Sequence, residues 1–88
     1  MKRALVTGAG RGIGAEVARQ LAGAGYEVLV AARDIQAAEA VVAPLRADGL
    51  AAEAVQLDLN DAESVASLAH HLGREPLDVV VNNAGAFA

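Results

Sequence analysis

The sequence predicts an α/β fold in which a parallel sheet carries helices on both faces. Short apolar runs alternate with amphipathic segments in the order β-α-β-α-β-α-β along 88 residues. The segments are separated by short glycine- and asparagine-containing turns, so each helix must act as a crossover between neighbouring parallel strands. Apolar side chains are nearly all Ala, Val, Leu and Ile, with Tyr26 and Phe87 the only aromatics, which suits helices packed closely on a sheet.

The first strand is predicted over residues 4–7, an apolar run typical of a central parallel strand. A helix is predicted from Ile13, because apolar side chains recur four residues apart on one face. Gly23 and Gly25 predict the end of this helix. Four glycines occupy alternate positions between the strand and the helix body: Gly8, Gly10, Gly12 and Gly14.

The second strand is predicted over 28–32 and the second helix over 35–47. Asp34 is the expected N-cap, because its carboxylate can accept hydrogen bonds from the free N–H groups of the first turn. Pro44 lies inside this helix. Since an interior proline removes one hydrogen bond and clashes one turn back, we expect a kink or an early end there.

The third strand is predicted over 54–59, followed by a helix with Asn60 as N-cap and Glu63 as the second member of a capping-box-like pair. The fourth strand is predicted over 77–81, at an edge of the visible sheet. The buried face of the third helix is expected to consist of Val65, Leu68, Ala69 and Leu72.

Composition excludes several classes of function. The formal net charge is −4 and the arginines are scattered, whereas a nucleic-acid binder usually has a clustered basic face. Cysteine is absent, so disulfides and thiolate chemistry are excluded. His70 and His71 are adjacent on a helix and point apart, so they are expected to be exposed residues and not metal ligands. We predict no metal site.

Membrane insertion and export are not expected. No apolar run approaches the roughly 18 residues of a membrane span, and residues 7–11 interrupt the start before a signal-peptide core can form. We therefore expect one cytoplasmic domain over residues 1–88, without nucleic-acid or membrane partners.

The glycine-rich turn is the most informative segment. Residues 10–15 fit G-x-G-x-x-A, and residues 7–14 fit T-G-x-x-x-G-x-G. Glycine permits a tight bend and close approach of a pyrophosphate to the backbone, and the helix N-terminus adds free N–H groups and partial positive charge. The turn therefore predicts a dinucleotide site. The alternative is a glycine turn required only for packing.

The end of the second strand favours NADP over NAD. An NAD site usually has an acid there to bind the ribose 2′-OH, but this strand ends in Arg33, with Asp34 only afterwards. The guanidinium of Arg33 can bind a 2′-phosphate in bidentate fashion, and Arg11 in the glycine turn could reach the same group. Alternatively, both are solvated surface charges. Asp58 could accept from the adenine amine or serve only as a turn or capping carboxylate.

These features together resemble the short-chain dehydrogenase/reductase family over the whole chain. The resemblance rests on the turn at 7–14, Arg33, the pair Asp58-Leu59, and residues 82–85, and residues 32–34, 56–58 and 79–85 look especially like NADP-dependent carbonyl reductases. It implies the N-terminal part of a Rossmann-type, doubly wound parallel sheet. The cofactor-binding residues that it implies are Gly8, Arg11, Gly12, Ile13, Gly14, Arg33, Asp58, Leu59, Asn83, Ala84 and Gly85.

The chain departs from the family where catalysis is concerned. Family members carry a catalytic Ser and a Tyr-x-x-x-Lys pair, in which Tyr is the general acid/base. The only tyrosine here is Tyr26, and Val30 stands where the lysine would be. No catalytic residue can therefore be assigned, and the chain resembles roughly the first third of a family member.

Two functional hypotheses are open, beside the purely structural alternative of an α/β domain that binds no ligand. The first is the NADP-binding N-terminal portion of an oxidoreductase that transfers hydride between NADP(H) and a small carbonyl or alcohol substrate, in a homo-oligomeric parent enzyme. The second is a non-catalytic nucleotide-binding or partner-dependent module.

Overall fold

The computed structural model describes residues 2–8, 12–73 and 76–82. Helices and strands alternate in the predicted order, and most boundaries lie within two residues of the predicted ones. The elements are β1 (Arg3–Thr7), α1 (Gly12–Gly23), β2 (Glu27–Ala32), α2 (Ile35–Ala47), β3 (Ala52–Gln56), α3 (Ala62–Leu72) and β4 (Val79–Asn82).

The four strands form one parallel sheet in the order β3-β2-β1-β4. The chain moves outward from β1 to β2 and β3, and then α3 carries it back to the other side of β1. Because parallel crossovers are right-handed, this reversal of direction puts α3 on the face opposite α1 and α2. The predicted α/β Rossmann-type fold is confirmed, and its switch point lies between β1 and β4.

Two apolar cores lie on opposite faces of the sheet. Side chains that alternate along the strands pack against α1 and α2 on one face, with Val6, Val28 and Val30 fully buried. The neighbours of these residues point to the α3 face, where the fully buried Leu29 belongs to the same apolar cluster as Leu68 of α3. The buried residues of α1 are all small, namely Gly14, Ala15, Ala18 and Ala22, and the larger Val17 and Leu21 pack half-buried beside them.

Helix α3 is packed less than predicted. Leu68 is its only buried residue, Leu72 is half-buried, and Ala69 is exposed. The exposed fraction of Val65 is 41%. The prediction of a four-residue buried face was therefore wrong, because α3 covers only the β3 side of the sheet.

Strand β4 lies at an edge of the sheet, as predicted. It pairs with β1 alone among the described strands, and Val80, on the α3 face, is 58% exposed. The predicted strand began at Leu77, but the ladder begins at Val79 and ends at Asn82, which pairs with Thr7. Leu77 instead packs half-buried against the core on the α3 side.

Strand β3 and the start of α3 also differ from the prediction. Strand β3 ends at Gln56 because its partner β2 ends at Ala32, and the last hydrogen bond joins the Leu57 N–H to the Ala32 carbonyl. Asp61, and not Asn60, caps α3 by accepting a hydrogen bond from the Glu63 N–H. Asn60 is instead part of the preceding turn.

Helix α2 does not end early at Pro44. It continues to Ala47, with Pro44 inside the helix. Both Pro44 and Ala40 are exposed, so water can bond the Ala40 carbonyl that the proline leaves without a helical donor. Leu45, which is 3% exposed, anchors the last turn in the core.

Asp34 caps α2 as predicted, which provides a test of stability. Its Oδ1 accepts a hydrogen bond from the Gln36 N–H at 2.9 Å. We expect Asp34→Ala to lower the free energy of unfolding by about 1 kcal/mol, because the cap is lost. Asp34→Ser keeps a capping oxygen and should stay close to the unsubstituted chain. Urea titration followed by circular dichroism measures both, and equal loss in the two variants would contradict the capping role.

Candidate cofactor site

The site begins where β1 becomes α1 at the carboxyl edge of the sheet. Thr7, the last residue of β1, is buried, and Gly8 follows with φ +63°. Helix α1 begins at Gly12, so its free N–H groups lie next to the switch point between β1 and β4. Ligands of open α/β sheets bind at such a point. Arg11 lies outside the described residues.

Gly12, Ile13 and Gly14 each present a feature that a diphosphate would require. Gly12 has φ +67°, and a Cβ added to it would meet no atom of the described residues within 4 Å, so these residues leave the space in front of its backbone open. Gly14 is buried against the sheet, where the absence of a side chain permits close packing. Ile13 is 66% exposed, and its backbone lies in the first turn of α1. These residues fit a pyrophosphate held by backbone amides.

Thr7 links the two strands that flank the switch point. Its hydroxyl is 3.1 Å from Asn82 Oδ1 and 3.4 Å from the Val81 carbonyl oxygen, both of which can accept its proton. Sequence reasoning assigned no role to Asn82, although the threonine of the T-G-x-x-x-G-x-G pattern was a signal for such a contact. The predicted ribose-lining residues Asn83, Ala84 and Gly85 lie outside the described residues.

Arg33 stands at the end of β2, at the same edge of the sheet. Its side chain is exposed, and no described carboxylate forms an ion pair with its guanidinium. Its carbonyl oxygen accepts a hydrogen bond from Gln56 Nε2 at 3.3 Å. The neighbouring Asp34 directs Oδ1 to the N-terminus of α2. The cation is therefore available to an external anion, while the adjacent acid is occupied as a cap.

Asp58 lies two residues beyond the end of β3, and not at the end of the strand as predicted. Its Oδ1 accepts from the Asn60 N–H at 3.0 Å, and its own N–H donates to Ser64 Oγ at 2.8 Å. Oδ1 of Asp58 therefore serves as a turn carboxylate, which was one of the two predicted roles of this residue. Leu59 beside it is 53% exposed. Ser64 was missed, because the sequence gives no sign that its side chain reaches back six residues.

The two histidines behave differently from each other. His70 is exposed, as predicted. His71 is also exposed, as predicted, but its Nε2 lies 2.7 Å from Glu53 Oε2, a contact between the end of α3 and strand β3 that was not predicted. Within the described ranges, no group of three potential metal-ligating side chains occurs. No described helix is long and apolar enough to cross a membrane.

The family model for short chain dehydrogenases matches residues 2–88. The chain is a member of the short-chain dehydrogenase family. Among curated relatives of this short-chain dehydrogenase, a "Probable oxidoreductase" of Streptomyces lividans is 48% identical over 88 residues, which are 99% of this chain and 29% of the relative. Human "Carbonyl reductase [NADPH] 3" is 44% identical over 84 residues, covering 92% of this chain and 30% of the reductase.

A solved structure agrees with this family membership. The crystal structure of a metagenomic short-chain oxidoreductase in complex with NADP superposes on the dehydrogenase chain with a TM-score of 0.87 and 42% identity. The matched region covers 96% of the present chain and 39% of the metagenomic oxidoreductase. The chain thus spans about a third of the length of the relatives that it matches, and the family resemblance predicted from its motifs is confirmed.

Proposed function

We propose that this chain is the NADP(H)-binding N-terminal portion of an oxidoreductase that transfers hydride between NADP(H) and a small carbonyl or alcohol substrate. The observation that carries the proposal is the positive-φ Gly12 at the start of α1 on the same sheet edge as Arg33, whose guanidinium pairs with no carboxylate among the described residues. Neutral amides and a helix N-terminus suit a diphosphate, and a free guanidinium suits an additional phosphate.

Each part of the dinucleotide would contact a different segment. Gly8, Gly12, Ile13 and Gly14 would hold the pyrophosphate, Arg33 with Arg11 would bind the 2′-phosphate, and Asp58 with Leu59 would contact adenine. Asn83, Ala84 and Gly85 would line the ribose. When bound, the nicotinamide supplies the hydride donor or acceptor.

Fluorescence titration tests the proposal directly. We expect the chain to enhance or shift NADPH emission with saturation, and to bind NADPH at least 10-fold more tightly than NADH, because one charge-assisted hydrogen bond contributes about 1.5–3 kcal/mol. Equal affinity for the two dinucleotides would contradict the role of the arginines. Absence of binding to either at millimolar protein would contradict the site itself.

Catalysis by the chain alone is not expected. Its single tyrosine, Tyr26, is followed four residues later by Val30, so the Tyr-x-x-x-Lys arrangement is missing. We expect no NADPH oxidation above background with simple aldehydes and ketones, monitored by loss of nicotinamide absorbance. Measurable turnover would show that another group supplies the proton.

A partner-dependent module is the second candidate, favoured by the exposure of Val80 at the β4 edge. An apolar edge strand offers unpaired backbone groups to another chain. Sedimentation at micromolar concentration distinguishes the two candidates, since a stable dimer that binds NADPH without turnover would favour the module. Homo-oligomerisation of a larger enzyme and a cytoplasmic location remain predictions.

A further inference from the structure

The loop after β3 is fixed by a side chain of α3. The Asp58 N–H donates to Ser64 Oγ at 2.8 Å, and the contact is partly buried. The Asp58 carbonyl accepts from the Asp61 N–H at 3.0 Å, and its Oδ1 accepts from the Asn60 N–H at 3.0 Å. Only Oδ2 of Asp58 is left without a hydrogen bond from the described residues.

Ser64 is well placed to control this loop because α3 has few other contacts. Ser64, Leu68 and His71 lie at i, i+4 and i+7 and so share one face of the helix. Leu68 contributes the only buried side chain of α3, and His71 binds Glu53 near the other end. Besides the Asp61 cap at the end of the loop, the Ser64 hydroxyl joins the first turn of α3 directly to Asp58 in the loop that carries Asp58 and Leu59.

We propose that Ser64 is a positioning residue for adenine recognition. By accepting the Asp58 N–H, it holds the Asp58 backbone in one orientation, so that the free carboxylate oxygen is presented consistently to the exocyclic amine of adenine. The inference rests on the proposed adenine contact of Asp58 and adds the residue that makes this contact selective.

Replacing adenine by hypoxanthine in the dinucleotide provides a measure of this orientation. The adenine amine donates hydrogen bonds to a carboxylate, whereas hypoxanthine carries a carbonyl oxygen at the same position, which a carboxylate repels. The ratio of affinities for the two bases therefore reports on how well the Asp58 carboxylate is oriented. A general loss of stability would weaken both dinucleotides alike and leave the ratio unchanged.

The experiment compares NADPH with its reduced deamino analogue, which has hypoxanthine in place of adenine, by fluorescence titration of the full chain. We expect Ser64→Ala to reduce the preference for NADPH over the analogue by about 3- to 10-fold, the value of one net hydrogen bond. Ser64→Thr keeps the accepting oxygen and should restore the preference. The matched control is Ser67→Ala, one turn further along α3, where the exposed hydroxyl makes no hydrogen bond to a described residue.

Two outcomes separate this inference from the proposed function. If Asp58→Asn leaves the preference unchanged, Asp58 does not contact adenine and the proposed adenine site fails. If Asp58→Asn changes the preference while Ser64→Ala does not, or while Ser64→Ala weakens both dinucleotides equally, Ser64 is not a positioning residue. Should Ser64→Ala fail to fold, Ser64→Cys has a similar shape and a weaker acceptor, and must lower the same ratio.

Discussion

Gly12→Val is expected to weaken NADPH binding more than 100-fold. The residue has φ +67°, a conformation that costs an L-residue about 1–2 kcal/mol and a β-branched one more. The new side chain would also enter the open space in front of the first amides of α1, where the diphosphate would lie. Fluorescence titration of NADPH measures the loss.

Gly49→Val is the matched control for Gly12→Val. Gly49 has φ +79°, and a Cβ there also meets no described atom within 4 Å, but it lies in the turn after α2, far along the chain from the glycine-rich turn. Backbone strain should therefore be similar in the two variants, while NADPH affinity should be retained only in Gly49→Val. Unchanged affinity in Gly12→Val would show that the turn is not the site.

Arg33→Asp is expected to change the ratio of NADPH to NADH affinity by about 100- to 1000-fold in favour of NADH. The substitution removes a charge-assisted hydrogen bond to the 2′-phosphate, worth about 1.5–3 kcal/mol, and places a repelling carboxylate beside it. The same carboxylate can accept from the ribose 2′-OH of NADH. Parallel titrations with both dinucleotides give the ratio.

Arg19→Asp controls for the altered net charge in this second experiment. Arg19 is exposed on α1 and, among the described residues, forms an ion pair only with Glu16, at 3.3 Å, so its replacement changes the formal charge equally without touching the end of β2. We expect its ratio to remain within about threefold of the original, as weak exposed ion pairs contribute little. An equal loss of both dinucleotides in Arg33→Asp would refute a role in selecting between them.

Local patterns predicted the architecture because each pattern has one dominant physical cause. Alternation of apolar strands with amphipathic segments required a parallel sheet, and Asp34 identified the start of α2 by its capping chemistry. Gly23 and Gly25 likewise predicted the end of α1, which ends at Gly23. The glycine-rich turn could be placed between a strand and a helix from sequence alone, since few other residues adopt positive φ at no cost.

Features that depend on distant partners could not be predicted. Strand β3 ends at Gln56 because β2 supplies no partner beyond Ala32, a limit set by pairing and not by the apolarity of the segment. The exposure of Val65 reflects how little of the sheet α3 covers. The Ser64–Asp58 and His71–Glu53 contacts join segments whose proximity only the folded chain creates.

The small buried residues of α1 affect the position of the backbone amides at the start of this helix. Methyl groups and a glycine hydrogen set the spacing between this helix and the strands beneath it. An added methylene at Ala18 or Ala22 would push the helix axis outward, and the amides at its beginning would move with it. We therefore expect that affinity for the proposed diphosphate can be adjusted from positions two or three turns away, without altering any group that would touch the ligand.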